Sequence, residues 1–153
     1  MLREEFINAK RIVIKLGTNV LRNSDGEVAI SRIYSFIEDM AKLVKQGKEV
    51  ILVTSGAVGL GKKKLNLEST AEDGVKQACA AVGQSRLMSF YENGFGIYDV
   101  PIAQILLTED DFSLRYRYLS LRTTLNKILE FGVVPIINQN DTVSTIEMNP
   151  MMS

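Results

Sequence analysis

The sequence predicts an α/β protein organised around a mostly parallel sheet, and three observations carry that prediction. Three short apolar runs, Ile12–Leu16, Val50–Val53 and Val133–Ile137, are rich in β-branched residues and, Lys15 apart, carry no polar interruptions, which marks strands buried on both faces. Each run stops at small or polar residues: Gly17, Thr18 and Asn19 after the first, Thr54, Ser55, Gly56 and Ala57 after the second, Asn138, Gln139, Asn140 and Asp141 after the third. Between the first two runs the apolar spacing lengthens to that of a helix. The unit is therefore strand, helix, strand, with parallel strands and a right-handed crossover.

Residues 1–11 carry at most a short helical lead-in, and strand one spans Arg11–Leu16. Asn23, Ser24, Asp25 and Gly26 form a surface turn. Ile33, Phe36, Ile37, Met40, Leu43 and Val44 then share one helical face, with Ser31 as the expected N-cap and Gly47 as the stop. After the central strand, Gly56, Gly59 and Gly61 match neither the spacing of a P-loop nor that of a dinucleotide fingerprint. Lys62, Lys63 and Lys64 read either as a solvated helix face or as substrate attraction. A helix is expected over Thr70–Tyr91, with Gly83 as a point of close packing and Asn93–Gly96 as the break. Val100–Leu107 is a further strand, and Thr108–Asp111 an acidic cap for the next helix. That helix carries Leu114, Tyr118, Leu121, Leu125, Ile128 and Leu129 as its apolar stripe and ends at Gly132. Arg115, Arg117 and Arg122 fall off the stripe, as solvated or subunit-contact charges.

At 153 residues and 46% hydrophobic content the chain has enough apolar surface for the core of one domain. Eighteen basic and eighteen acidic residues cancel, so neither nucleic acid nor an anionic membrane is an expected partner. The opening MLREEF lacks the order of a secretory signal and no apolar run reaches spanning length, so a cytoplasmic location is expected. Cys79, the single cysteine, lies among alanines and reads as a buried thiol in a close helix contact. The absence of histidine removes mechanisms built on a histidine base or ligand, leaving lysine, carboxylate, hydroxyl and backbone groups.

Ligands of open α/β sheets bind outside the carboxyl ends of the strands, near a switch in strand order. The three polar strand ends are thus expected to face one crevice. The Thr54–Ala57 turn presents backbone amides to an anion. Ser55, without a basic partner, reads as a hydrogen-bonding group rather than a nucleophile. Lys15 is either an edge lysine reaching water or an ammonium poised near a phosphate. Asp141 either caps a turn or binds an ammonium or metal ion.

Taken together, KLGTNVL (15–21), VTSGAVGLG (53–61), KQACAAVGQSRLM (76–88), AQILLTEDDF (103–112), RYLSLRTTL (117–125) and VVPIINQND (133–141) resemble the amino acid kinase family in order and spacing. The resemblance covers residues 11 to about 147. It implies a three-layer sandwich with a mostly parallel central sheet, and transfer of the γ-phosphoryl group of ATP, bound with Mg2+, to an acceptor. The KLGT and TSGA elements leave several carboxylate and phosphate acceptors open. AAVGQSRL and LLTEDDF favour the side-chain carboxylate of L-glutamate, the first step of proline synthesis. By the same resemblance Lys15 is the catalytic, phosphate-binding lysine and Gly17 lies with it at ATP. Ser55, Gly56 and Ala57 form the loop that holds glutamate, and Asp141 binds its amino group. Magnesium is implied with ATP and not on a protein cage.

Gln139 stands where the family has glutamate, and Ser120 where it has asparagine. Residues 148–153 leave the family pattern, which implies a chain truncated before the nucleotide-binding second half and weak or absent activity alone. A surface left open for that half implies self-association, or pairing with a longer kinase chain. The rival readings are a family kinase for another carboxylate or phosphate acceptor, and a noncatalytic module that binds glutamate or pairs with a kinase subunit.

Overall fold

The computed structural model describes residues 7–25 and 27–143. The turn residue Gly26, most of the expected lead-in and the tail 148–153 lie outside them. Strands β1 (Arg11–Leu16), β2 (Glu49–Thr54), β3 (Ile102–Leu107) and β4 (Val134–Gln139) form one sheet in the order β1-β2-β4-β3. Every neighbouring pair is parallel. Helix α1 (Ile30–Lys45) joins β1 to β2; α2 (Ala57–Lys64) and α3 (Val75–Gly96) lead to β3; α4 (Asp110–Ser113) and α5 (Arg115–Glu130) lead to β4.

The two strand-helix-strand units, β1 to β2 and β3 to β4, advance in opposite directions across the sheet. Right-handed crossovers then put their helices on opposite faces. One face carries Val50, Leu52, Val134 and Ile136, which pack with Ile33, Ile37 and Met40 of α1 and Leu87, Tyr91 and Phe95 of α3 into the main core. Leu52, Ile37, Tyr91 and Phe95 are fully excluded from water, and each such side chain contributes about 1.5–3 kcal/mol. On the other face α5 lies against β4, buries Leu129 and accepts a 3.1 Å bond from Arg11 at Asn126. This is the three-layer arrangement expected, with β1 and β3 at the edges. The switch in direction falls between β2 and β4.

Several boundaries differ from the sequence reading for identifiable reasons. Helix α1 starts at Ile30, with Ala29 and not Ser31 at the N-cap. Ala29 is buried and its amide bonds the Leu21 carbonyl at 3.0 Å, so the entry is fixed by packing rather than by a hydroxyl. Helix α3 runs from Val75 through Gly96 instead of Thr70–Tyr91. Asn93–Gly96 is not a break, because a side chain at Gly94 would run into Ile37, and the glycine serves the contact between α1 and α3. The helix expected after β3 is two, since extended Leu114 (ψ 114°) separates the single turn α4 from α5. Leu114 and Tyr118, expected in the stripe, are exposed. Gly47 (φ +86°) and Gly132 (φ +71°) do stop their helices in the left-handed conformation glycine favours.

Helices α2 and α3 meet backbone to backbone. A Cβ on Gly83 would strike the carbonyl of Ala57, and one on Gly61 the carbonyl of Cys79. Gly83 is thus the close-packing point the sequence suggested, and Cys79 is a fully buried thiol beside it.

Candidate functional site

A cleft of about 560 Å3 opens outside the carboxyl ends of the strands. Thr18 follows β1, Ser55 and Gly56 follow β2, Thr108 and Glu109 follow β3, and Asn138, Gln139 and Asp141 end or follow β4; Val53, Leu107 and Ile137 form its apolar part. It sits at the switch between β2 and β4, where open α/β sheets bind ligands.

The β2 wall is built by a turn that only glycine makes without strain. Gly56 has φ +100° and caps α2, so the amides of the first helical turn lack intrahelical partners and carry the positive end of the helix dipole. Val58 and Gly59 of that turn line the cleft. Ser55 Oγ shares a 3.1 Å hydrogen bond with Thr18 Oγ1, tying the ends of β1 and β2 together. One residue earlier, Thr54 Oγ1 bonds the Tyr91 hydroxyl at 2.7 Å inside the core. Burial pushes the Tyr91 phenol up to about 12 against the opposing effect of that bond, so it stays a neutral anchor for the turn.

The β3 wall is fixed by Asp111, whose carboxylate accepts the Thr108 amide at 2.7 Å and the Thr108 hydroxyl at 2.9 Å. Those bonds, with Arg117 at 3.4 Å, hold Asp111 below the usual carboxylate range. The acidic cap expected at Thr108–Asp111 is thus a reciprocal turn that aims Glu109 and Phe112 at the cleft.

Asp141 closes the β4 side. Burial pushes its carboxyl up, and the positive charge of Lys76 opposes the shift. An acid with a raised folded pKa favours folding with its proton on, so its cost appears as pH rises from the unfolded value of about 3.9 through the folded one. Asp141→Asn is therefore expected to raise stability at pH 7 and to change nothing below about pH 3. Urea unfolding at the two pH values measures this, and an equal effect at both would contradict it.

Of the residues singled out in the sequence, Ser55, Gly56 and Asp141 line the cleft together. Ala57 lies behind it, buried, with its carbonyl against Gly83. Lys15 and Gly17 are not among the lining residues. Lys15 is exposed on edge strand β1, in register with Val53, which does line the cleft. Gly17 accepts the amides of Val20 and Leu21, and a Cβ there would meet nothing within 4 Å. Lys62–Lys64 occupy the last turn of α2, away from the cleft, and Lys63 pairs with Glu27, which favours the solvated-face reading. Thr18, Val58, Thr108 and Asn138 were not assigned from sequence. Thr18 and Asn138 carried a signal by their places in polar strand ends, and Thr108 by opening the expected acidic cap. Among the described residues no three acidic, histidine or cysteine side chains converge as a metal site, and no helix is long and apolar enough to cross a membrane.

The fold and cleft define an α/β protein with an open cleft at the switch point of a parallel sheet. A profile of the amino acid kinase family matches residues 10–148, and the chain belongs to that family. It is 49% identical over 148 residues to glutamate 5-kinase of Desulfotalea psychrophila (strain LSv54 / DSM 12343), covering 95% of this chain and 39% of that protein. It is 42% identical over 149 residues to glutamate 5-kinase of Pelobacter propionicus (strain DSM 2379 / NBRC 103807 / OttBd1), covering 97% and 40%. The glutamate 5-kinase of Marinomonas sp. (strain MWYL1) is 45% identical over 148 residues, covering 96% and 40%. The chain thus spans about two-fifths of the length of these relatives. The crystal structure of UMP kinase from Ureaplasma parvum matches with a TM-score of 0.54 at 18% identity, over 85% of this chain and 56% of that one, a likeness of fold.

Proposed function

We propose that the chain forms the glutamate-binding part of a kinase that transfers the γ-phosphoryl group of ATP to the side-chain carboxylate of L-glutamate, the step that opens proline synthesis. The observation that carries this reading is the pairing, in one cleft, of an anion-ready turn at Ser55 and Gly56 with the carboxylate of Asp141. A zwitterionic amino acid needs both: amide and hydroxyl donors for a carboxylate, and an anion for the ammonium. The identities of 42–49% to proteins named glutamate 5-kinase support the substrate.

In this reading Ser55, with the amides of Gly56 and Ala57, holds the substrate and Asp141 takes its amino group. A side-chain carboxylate oxygen attacks the γ-phosphorus, the bond to the bridging oxygen of ADP breaks, and an acyl phosphate and ADP result. Two anions must meet, so positioning and positive charge supply most of the rate. Lys15, beside Val53 on β1, is assigned the developing charge on the transferring phosphoryl group, with Gly17 next to it at ATP. Magnesium is assigned to the phosphates of ATP, whose charge it would neutralise. The adenine side of the ATP site is assigned to the part of the longer relatives that this chain does not span. A longer kinase chain or a second copy is accordingly the proposed partner.

Calorimetric titration of the purified chain with L-glutamate, L-aspartate and UMP tests the reading. Saturable uptake of glutamate in preference to the other two is expected. A chain folded by circular dichroism that takes up no glutamate, or prefers UMP, refutes it.

A further inference from the structure

Asn138 lies at the end of β4 with 6% of its surface exposed, and its amide is engaged on both sides. Its Oδ1 accepts the main-chain N–H of Gln139 at 2.9 Å. Its Nδ2 donates to Gln84 Oε1 on α3 at 2.9 Å, and Gln84 Nε2 in turn donates to Gln104 Oε1 on β3 at 2.9 Å. Side-chain amides can be turned over without changing their shape. Here one main-chain donor sets the whole chain. Because Gln139 presents an N–H, Asn138 must face it with oxygen, which leaves Gln84 to accept and Gln104 to accept in its turn.

Beyond Gln139 the backbone turns toward Asp141, and the Asn140 amide bonds the Leu107 carbonyl at 2.7 Å. The path of this wall is thus held by β3 and, through Asn138, by α3. Gln84 follows Gly83, whose backbone rests on Ala57, the buried residue behind the Ser55–Gly56 turn. Two consecutive residues of one helix therefore support the Ser55 turn from behind and, through Asn138, the end of β4.

We propose that Gln84 is a positioning residue for the wall that carries Asp141, acting through Asn138. It sets the distance between the Ser55 turn and Asp141 and so the length of amino acid the cleft accepts. Only the ligand arm of the test below rests on the reading of the cleft as a glutamate site.

The test compares Gln84→Leu, similar in volume but without hydrogen bonds, with Gln84→Glu. A glutamate side chain accepts from Asn138 as before, and Gln104, turned over, donates to it with Nε2, so both links survive. In the ligand-free chain, amide hydrogen exchange followed by NMR is expected to speed up about tenfold at Gln139 and Asn140 in Gln84→Leu. The rate at Leu52 should stay unchanged, and Gln84→Glu should exchange like the parent. With ligand, the glutamate Kd is expected to rise about tenfold in Gln84→Leu and to recover in Gln84→Glu. The proposal is overturned if Gln139 exchange is unmoved by Gln84→Leu, if it rises only together with Leu52, or if Gln84→Glu behaves as Gln84→Leu does. A parent chain that takes up no glutamate removes the functional reading, while the exchange arm still decides the positioning role.

Discussion

Gly83→Ala is expected to destabilise the protein by about 2–4 kcal/mol, against the direction helix propensity predicts. An alanine within a helix is favoured over glycine by about 1 kcal/mol. At Gly83 that gain meets a clash with the carbonyl of Ala57 and the amide of Gly61, which are main-chain atoms of another helix and cannot turn aside. Overpacking costs about 1–3 kcal/mol where side chains give way, and about 3–5 kcal/mol is expected here because main chain must move, which leaves the net loss of about 2–4 kcal/mol. Gly96, in the same helix, is the control: it is exposed and a Cβ there meets nothing within 4 Å. Gly96→Ala is expected to be neutral or to stabilise by up to about 1 kcal/mol. Urea midpoints of the two variants measure the difference. If Gly83→Ala proves as stable as Gly96→Ala, the helices are not in the backbone contact described.

On the function proposed above, Lys15→Ala is expected to lower acyl-phosphate formation by about 10²–10³-fold, the usual loss when one stabiliser of developing charge is removed. Glutamate affinity should change by less than about threefold, because the side chain lies outside the cleft lining. Stability should hardly move, since Lys15 is exposed on an edge strand. Hydroxylamine trapping of the product, with ATP, magnesium and glutamate and with a longer kinase subunit supplied where the chain alone is slow, gives the rate. Full activity in the variant would remove Lys15 from the chemistry and leave it as an edge lysine. Loss of glutamate binding instead would place it with the substrate.

Much of this architecture is legible in the sequence because strand ends announce themselves. The change from Val53 to Thr54-Ser55-Gly56 marks both the end of β2 and one wall of the cleft, and a glycine at position 56 supplies the positive φ that the turn requires. Gly83 stood out for the same reason, as a residue without a side chain inside a strong helical pattern. What stayed hidden depends on registry between elements distant in the chain. Nothing near Gly94 reveals that Ile37 occupies the space over it, so a packing glycine reads as a helix stop. Leu114 carries the right spacing for a core stripe, yet α4 ends at Ser113 and Leu114 is the extended, exposed residue between α4 and α5. Gln84, Asn138 and Gln104 are scattered polar residues until α3 is laid across β4 and β3.

The backbone contact between α2 and α3 also bears on how such a chain can change length. Gly83, Leu87, Tyr91 and Phe95 repeat at four-residue steps along α3 and meet, in turn, Ala57 and the core beneath Thr54. Deleting one residue between Gly83 and Tyr91 would turn everything beyond it by about 100° and draw it back by about 1.5 Å. Tyr91 would leave Thr54 if Gly83 kept its place, and if Tyr91 kept its place instead, a bulky side chain would face the Ala57 carbonyl. Gains and losses of residues are therefore expected to be confined to the connections flanking α3, residues 65–74 and 97–101, while the helix itself varies only by substitution.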